Sequence, residues 1–92
     1  MVDVKLPAAL ASECAGQRHL HVDLPDDATL ADVLDAIATT HPRLARRLRD
    51  ESGKLRRYVN IYIGDDENRR LQGLATPVEG RDIQILPSIA GG

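Results

Sequence analysis

Few groups in this chain could do chemistry, and the strongest candidate is a backbone group: the α-carboxylate that follows Gly91-Gly92. At a glycine usage of about 7%, a chance Gly-Gly at that position arises roughly once in 200 sequences. Glycine has no Cβ, so such a backbone fits a narrow channel and lets a nucleotide phosphate approach closely. Just upstream, Ile83 and Ile85 alternate with polar neighbours as a strand requires, and Pro87 has no amide hydrogen with which to continue a ladder. Pro87 to Gly92 therefore read as a tail, which at about 3.3 Å per residue reaches roughly 20 Å, enough to carry a carboxylate into another protein's active site.

The other reactive residue types are weaker candidates. Cys14 is the single cysteine, which excludes an internal disulfide and any multi-thiol metal cage. It sits in the small-residue stretch from Ala8 to Gly16, where nothing supplies a base or lowers its pKa, so an inert thiol is expected. His19 and His21 would share the outer face of one strand, the spacing of a metal pair, but no third ligand follows at a sensible distance, and no metal is expected. Arg43, Arg46, Arg47, Arg49, Lys54, Arg56 and Arg57 gather seven of the twelve basic residues in one stretch. That cluster suits docking to an acidic partner; a solvated face balanced by Asp50 and Glu51 is the simpler expectation.

Composition narrows the function classes further. A formal net charge of -2 and a pI near 5.8 argue against a nucleic-acid partner, which demands a basic face. No apolar run approaches the roughly 18 residues of a membrane span, and the charges of Met1-Val2-Asp3-Val4-Lys5 do not resemble a signal peptide, so a cytoplasmic protein is expected. Ninety-two residues make one domain with a single modest core and little room for an internal active-site cavity. Tyr58 and Tyr62 are its only aromatics, so that core must be aliphatic.

The elements that must hold the tail are set by patterning. Val2, Val4 and Leu6 alternate with Asp3 and Lys5 as a first strand ended by Pro7. Ala8 to Gly16 reads as a loop with a helical turn, and Leu20, Val22 and Leu24 alternate as a second strand, antiparallel to the first. Thr29 is a good N-cap with Asp32 placed as in a capping box. Leu30, Val33, Leu34, Ile37 and Ala38 then form one apolar helical stripe, ended at His41-Pro42. Pro42 opens a second short helix with Leu44, Ala45 and Leu48 inward. Val59, Ile61 and Ile63 face one way along a strand, with Tyr58, Asn60 and Tyr62 on the other side. Gly64 to Asn68 reads as a turn, Arg69-Arg70-Leu71 as a short strand, Leu74 as an apolar plug, and Gly80 as a turn before the last strand.

Strands before and after one amphipathic helix, in a chain this small, give an α+β fold: a mixed four- to five-stranded sheet curled around one main helix. This is the β-grasp, ubiquitin-like arrangement, with a domain over 1–86 and a flexible tail over 87–92. In that arrangement the last strand is central and parallel to the first, so the chain leaves from a firmly anchored base.

Two stretches carry a family resemblance: Tyr58-Val59-Asn60-Ile61-Tyr62-Ile63, and the run from Leu74 through Thr76-Pro77-Val78-Glu79-Gly80 to Ile85-Leu86-Pro87 and Gly91-Gly92. Over essentially its whole length the chain resembles the MoaD/ThiS family of ubiquitin-like sulfur carriers. Gly53-Lys54-Leu55, Gly73-Leu74-Ala75-Thr76 and Ala90-Gly91-Gly92 make it most similar to the cysteine-synthesis carriers within that family. Arg81 departs from the pattern, which usually has an acidic residue after the turn glycine; as a surface turn position it unsettles little.

The resemblance implies a protein that catalyses nothing itself. An ionised α-carboxylate, with a pKa of about 3.5, is a poor electrophile and must be activated before sulfur can be added. The family's ThiF/MoeB-type activating enzyme would use ATP to adenylate Gly92, and sulfide would then displace AMP to leave a thiocarboxylate. Gly92 is the expected attachment point, Gly91 and Ala90 the expected recognised tail, and no cofactor is bound by the carrier. Cysteine synthase is the implied sulfur acceptor, although carriers for thiamin, molybdopterin and sulfur-containing natural products share these features. Tyr58, Asn60, Tyr62 and Leu86 are the expected docking residues of a free monomer, since an outward Leu86 beside the tail is out of place unless a partner covers it. The same tail would serve a ubiquitin-like modifier that forms isopeptide bonds through Gly92. A plain interaction module is the third reading, and it expects that deleting Gly91 and Gly92 changes nothing.

Overall fold

The structure, a computed structural model, describes residues 2–87. Strand β1 (Val2–Lys5) pairs antiparallel with β2 (His19–Val22), from Val2 opposite Val22 to Lys5 opposite His19. The expected helical turn between them is helix α1 (Ala8–Ala11), followed by a 3-10 turn over Ser12–Cys14 that ends at Ala15 in the left-handed region (φ 54). This connection tucks Leu10, Ala11 and Cys14 into the core.

Helix α2 (Leu30–Thr40) starts where the capping box placed it. The Asp32 amide donates to Thr29 Oγ1 at 3.3 Å, and the Thr29 amide donates to the Asp32 carboxylate at 2.9 Å. Two otherwise orphaned donors of the first turn are thereby satisfied. Leu30, Val33, Leu34 and Ile37 are all buried along one face, with Ala38 half-buried at its margin. His41 terminates the helix, and Pro42 is the first residue of α3 (Pro42–Leu48), which buries Leu44 and Leu48 and half-buries Ala45.

Strand β3 (Val59–Ile63) alternates as expected, with Val59, Ile61 and Ile63 buried. Beyond β3 the chain departs from the expected long turn and short strand. Gly64, at φ 61, and Asp65 turn the chain at once, so that Asp66–Glu67 returns as strand β4 with Glu67 opposite Tyr62. The expected strand over 69–71 is instead a 3-10 turn, Asn68–Arg70. Its driver is Asn68, which is 2% exposed and donates from Nδ2 to the Ile61 carbonyl at 3.0 Å. A buried amide needs such a partner, and it draws the chain away from the sheet plane.

The last strand, β5 (Ile83–Pro87), lies at the centre of a five-stranded sheet of order β2-β1-β5-β3-β4. It runs parallel to β1 and antiparallel to β3, from Ile63 opposite Ile83 to Val59 opposite Pro87. The strand thus includes Pro87 itself, one position beyond its expected end at Leu86; the fixed φ of proline suits an extended chain although its missing N–H prevents further donation. Val4, Ile61, Ile63, Ile83 and Ile85 meet Leu30, Val33, Leu34, Ile37, Leu44 and Leu48 in one aliphatic core, with Leu74 partly buried against it as a plug. The turn into β5 has Glu79 (φ 55) and Gly80 (φ 74) both left-handed, closed by the Arg81 amide on the Val78 carbonyl at 3.0 Å. Arg81 is half-buried, and its guanidinium donates to the carbonyls of Val78 (3.0 Å) and Pro77 (2.8 Å). The basic residue at this turn therefore fastens the start of the tail-bearing strand.

Candidate functional site: the outer sheet face and the exit of β5

Helices α2 and α3 cover one face of the sheet, and the polar positions of every strand point to the other. Strand register aligns His19, Lys5, Gln84, Tyr62 and Glu67 in a single row across all five strands. The next row toward the exit of β5 sets Leu86 opposite Asn60, both half-buried. Tyr58, two residues before Asn60, is 47% exposed and is one of two large apolar residues so exposed among the described residues. Of the docking candidates, Asn60 and Leu86 pair at the end of the sheet where β5 leaves, Tyr58 precedes the start of β3 at that same end, and Tyr62 lies on the same face one row further back, opposite Gln84. Ala90, Gly91 and Gly92, the expected tail and attachment residues, lie outside the described residues.

Arg69 also belongs to this surface, although its sequence context, a polar run after a turn, gave no sign of it. Its guanidinium donates to Asn60 Oδ1 at 2.6 Å, to Glu67 Oε1 at 3.1 Å and to the Val59 carbonyl at 3.2 Å. These contacts hold a planar cation against Asn60, the residue opposite Leu86, and a preordered arginine loses little entropy when a partner covers it. On the other side of the β5 exit is a cleft of about 410 Å³, lined by Lys5, Leu6, Arg18, His19, Gln84 and Leu86 among others.

The remaining reactive residues lie elsewhere. Cys14 is buried in the core, and desolvation, with a smaller contribution from the Glu13 charge, raises its thiol pKa, the opposite of an activated nucleophile. His19 and His21 both turn their Nδ1 atoms to the Asp3 carboxylate, at 3.3 and 3.4 Å from its two oxygens. Among the described residues no group of three or more His, Cys, Asp or Glu could hold a metal ion. The arginine cluster is balanced differently from expectation: Arg49 pairs with Asp35 at 2.8 Å and Arg47 with Glu13 at 3.7 Å. Asp50 instead accepts from the Ser52 hydroxyl (2.7 Å) and from the amides of Ser52 and Lys54, which hold its carboxyl below the usual range.

A mixed sheet packed on one main helix, with the last strand at its centre between β1 and β3, defines a ubiquitin-like β-grasp protein. Comparison with known proteins makes the assignment specific. The chain belongs to the ThiS family, whose model matches residues 4–92. It is 38% identical over 94 residues to the sulfur carrier protein CysO of Mycobacterium tuberculosis, covering 99% of this chain and 98% of that one. It is 39% identical over 88 residues to small archaeal modifier protein 1 of Haloferax volcanii, covering 96% and 97%. Among solved structures, the BexX/CysO complex of Amycolatopsis orientalis contains a chain that superposes with a TM-score of 0.86 at 31% identity, covering 100% of both chains. No helix among the described residues is long and apolar enough to cross a membrane.

Proposed function

We propose that this protein is a sulfur carrier: a non-catalytic β-grasp domain, 1–86, that presents the tail 87–92 so that Gly92 is adenylated and then converted to a thiocarboxylate. The observation that carries the reading is the position of β5. It is the central strand, held on both sides by ladders to β1 and β3, and it ends beside a sheet face that no described helix covers, where Leu86 lies opposite Asn60 with Tyr62 on the same face and Tyr58 just ahead of β3. The match of the ThiS family model through residue 92 supports the same use of the tail.

The chemistry divides between carrier and partner. A ThiF/MoeB-type enzyme supplies ATP and the catalytic groups; the α-phosphate forms an anhydride with the Gly92 carboxylate and pyrophosphate leaves. Sulfide attacks the activated carbonyl, the bond to AMP breaks, and the thiocarboxylate remains. Glycine at Gly91 and Gly92 leaves the backbone slim enough for that encounter. The surface formed by Tyr58, Leu86 and the preordered Arg69 has the aromatic, aliphatic and guanidinium chemistry of an interface centre. Similarity to CysO favours cysteine synthesis as the destination of the sulfur.

A second reading, a protein modifier joined through Gly92 to lysines, is supported by the similarity to small archaeal modifier protein 1. Incubation with an activating enzyme and ATP, with and without sulfide, separates the two. A carrier gains mass equal to one oxygen exchanged for sulfur; a modifier yields conjugates that release a Gly92-lysine isopeptide on digestion. A chain that does neither while its tail is intact refutes both.

A further inference from the structure

The cleft beside the β5 exit is chemically one-sided. Lys5, Arg18 and His19 form its rim and Leu6 and Leu86 part of its wall, and no acidic residue lines it. Neither Lys5 nor Arg18 takes part in an ion pair among the described residues, a state they share with Arg43, Arg46, Lys54, Arg56, Arg57 and Arg70; what sets these two apart is that they border one cleft beside the β5 exit. Arg18 is nevertheless held in place, because its Nε donates to the Leu6 carbonyl at 3.3 Å. Asp3, which precedes Lys5 by two residues on β1, is turned to the two histidines, while Asp65 and Asp82 line a separate cleft on the other side of Lys5. The held Arg18 and the unpaired Lys5 thus give the cleft two cations in a chain whose formal net charge is -2.

We propose that this cleft is a binding site for an acidic, partly apolar segment of the enzyme that activates Gly92, an inference that rests on the carrier reading above. Position selects that occupant. The cleft adjoins Leu86, and Ser88 to Gly92 can carry the reacting carboxylate as far as about 16 Å away. The nucleotide that reacts at Gly92 therefore need not enter the cleft, while the protein surface around the tail's entrance must pass over it. Aliphatic wall and cationic rim together match carboxylate side chains carried beside apolar ones. Charge complementarity next to the tail steers the encounter so that the tail enters first, which raises the association rate and makes it salt-dependent.

The test compares the full-length protein with the double variant Lys5→Glu/Arg18→Glu and with Arg43→Glu/Arg46→Glu, which changes net charge equally on the distant α3 face. The readout is the steady-state KM for the carrier in ATP–pyrophosphate exchange by a ThiF/MoeB-type activating enzyme, at low and high salt. The cleft variant is expected to raise KM by about tenfold or more at low ionic strength with little change in kcat, and the difference shrinks in about 1 M salt. The α3 variant is expected to stay within about threefold of wild type. Lys5→Gln/Arg18→Gln, which adds no repulsion, should fall between wild type and the reversed pair, and circular dichroism checks that all variants are folded. Equal effects of the two charge reversals, or none from the cleft reversal, would overturn the proposal. So would faster adenylation of the cleft variant, since that would mean the cleft holds the chain's own carboxylate. Failure of the wild-type chain to be activated at all would count against the carrier reading rather than against the cleft.

Discussion

Replacing Ile85 by Ala tests whether β5 is the anchored strand on which the tail depends. Ile85 is fully buried and lies opposite Ile61, also fully buried, on the strand that crosses the centre of the sheet. The change removes three carbons, about 2.4 kcal/mol of transfer free energy at about 0.8 kcal/mol per buried methylene. The two flanking ladders limit collapse of the site, and the cavity left behind brings the expected loss to about 3–4 kcal/mol. A domain of this size has a total stability of roughly 5–14 kcal/mol, so the variant remains folded at low temperature but melts roughly 12–30 °C earlier. Urea titration followed by far-UV circular dichroism should show a lower midpoint with an unchanged slope. The neighbouring Gln84→Ala, on the outer face, should stay within about 0.5 kcal/mol of wild type. Equal losses from Ile85→Ala and Gln84→Ala would refute the assigned face, because a one-residue slip in register inverts every side chain of a strand. A loss below about 1 kcal/mol from Ile85→Ala would refute its place in the core.

Thr76→Val should destabilise by about 1–3 kcal/mol in the same titration, because the buried Thr76 hydroxyl accepts from the Gln72 amide at 2.9 Å and donates to the Gly73 carbonyl at 2.7 Å. Cys14, buried and with its thiol pKa raised, should resist iodoacetamide in the native state until pH climbs above the ordinary thiol range, and Cys14→Ala should accept sulfur as wild type does; rapid labelling at neutral pH would contradict its burial. Asp50 has a folded pKa below its unfolded value, so its contribution to the 50–54 loop is fully present above about pH 4 and is lost as pH falls through the lowered value. A carbon-detected NMR titration of Asp50 should place its midpoint below that of a model peptide, and Ser52→Ala should move it upward, since the Ser52 hydroxyl is the largest cause of the shift.

Elements with a long, clean period were legible in the sequence. The stripe of α2 with its Thr29 and Asp32 cap, and the alternation of β3, each repeat often enough to fix both type and buried face. Strand β4 was not legible, because Asp66 and Glu67 are two polar residues that cannot display a period of two; only their pairing to Ile63 and Tyr62 makes them a strand. The 3-10 turn over Asn68–Arg70 depends on a bond from Asn68 to Ile61, seven residues away, which local patterning does not encode. The same limit applies to the site. The outward set Tyr58, Asn60, Tyr62 and Leu86 follows from alternation alone. The part played by Arg69 and the gathering of Lys5, Arg18 and His19 into one cleft depend on sheet order and on the β1–β2 connection. Charge balance was likewise misassigned by proximity in sequence, since Arg49 reaches Asp35 across the α2–α3 corner rather than its neighbour Asp50.

The central claim, that Gly92 carries sulfur as a thiocarboxylate, is tested most directly by locating the sulfur. The protein is incubated with a ThiF/MoeB-type activating enzyme, ATP and sulfide, digested, and its C-terminal peptide fragmented by mass spectrometry beside a control lacking ATP. An ATP-dependent exchange of one oxygen for sulfur is expected on the Gly92 carboxyl and nowhere else. Sulfur found on Cys14, or an unmodified Gly92 in a protein whose tail is intact, would contradict it.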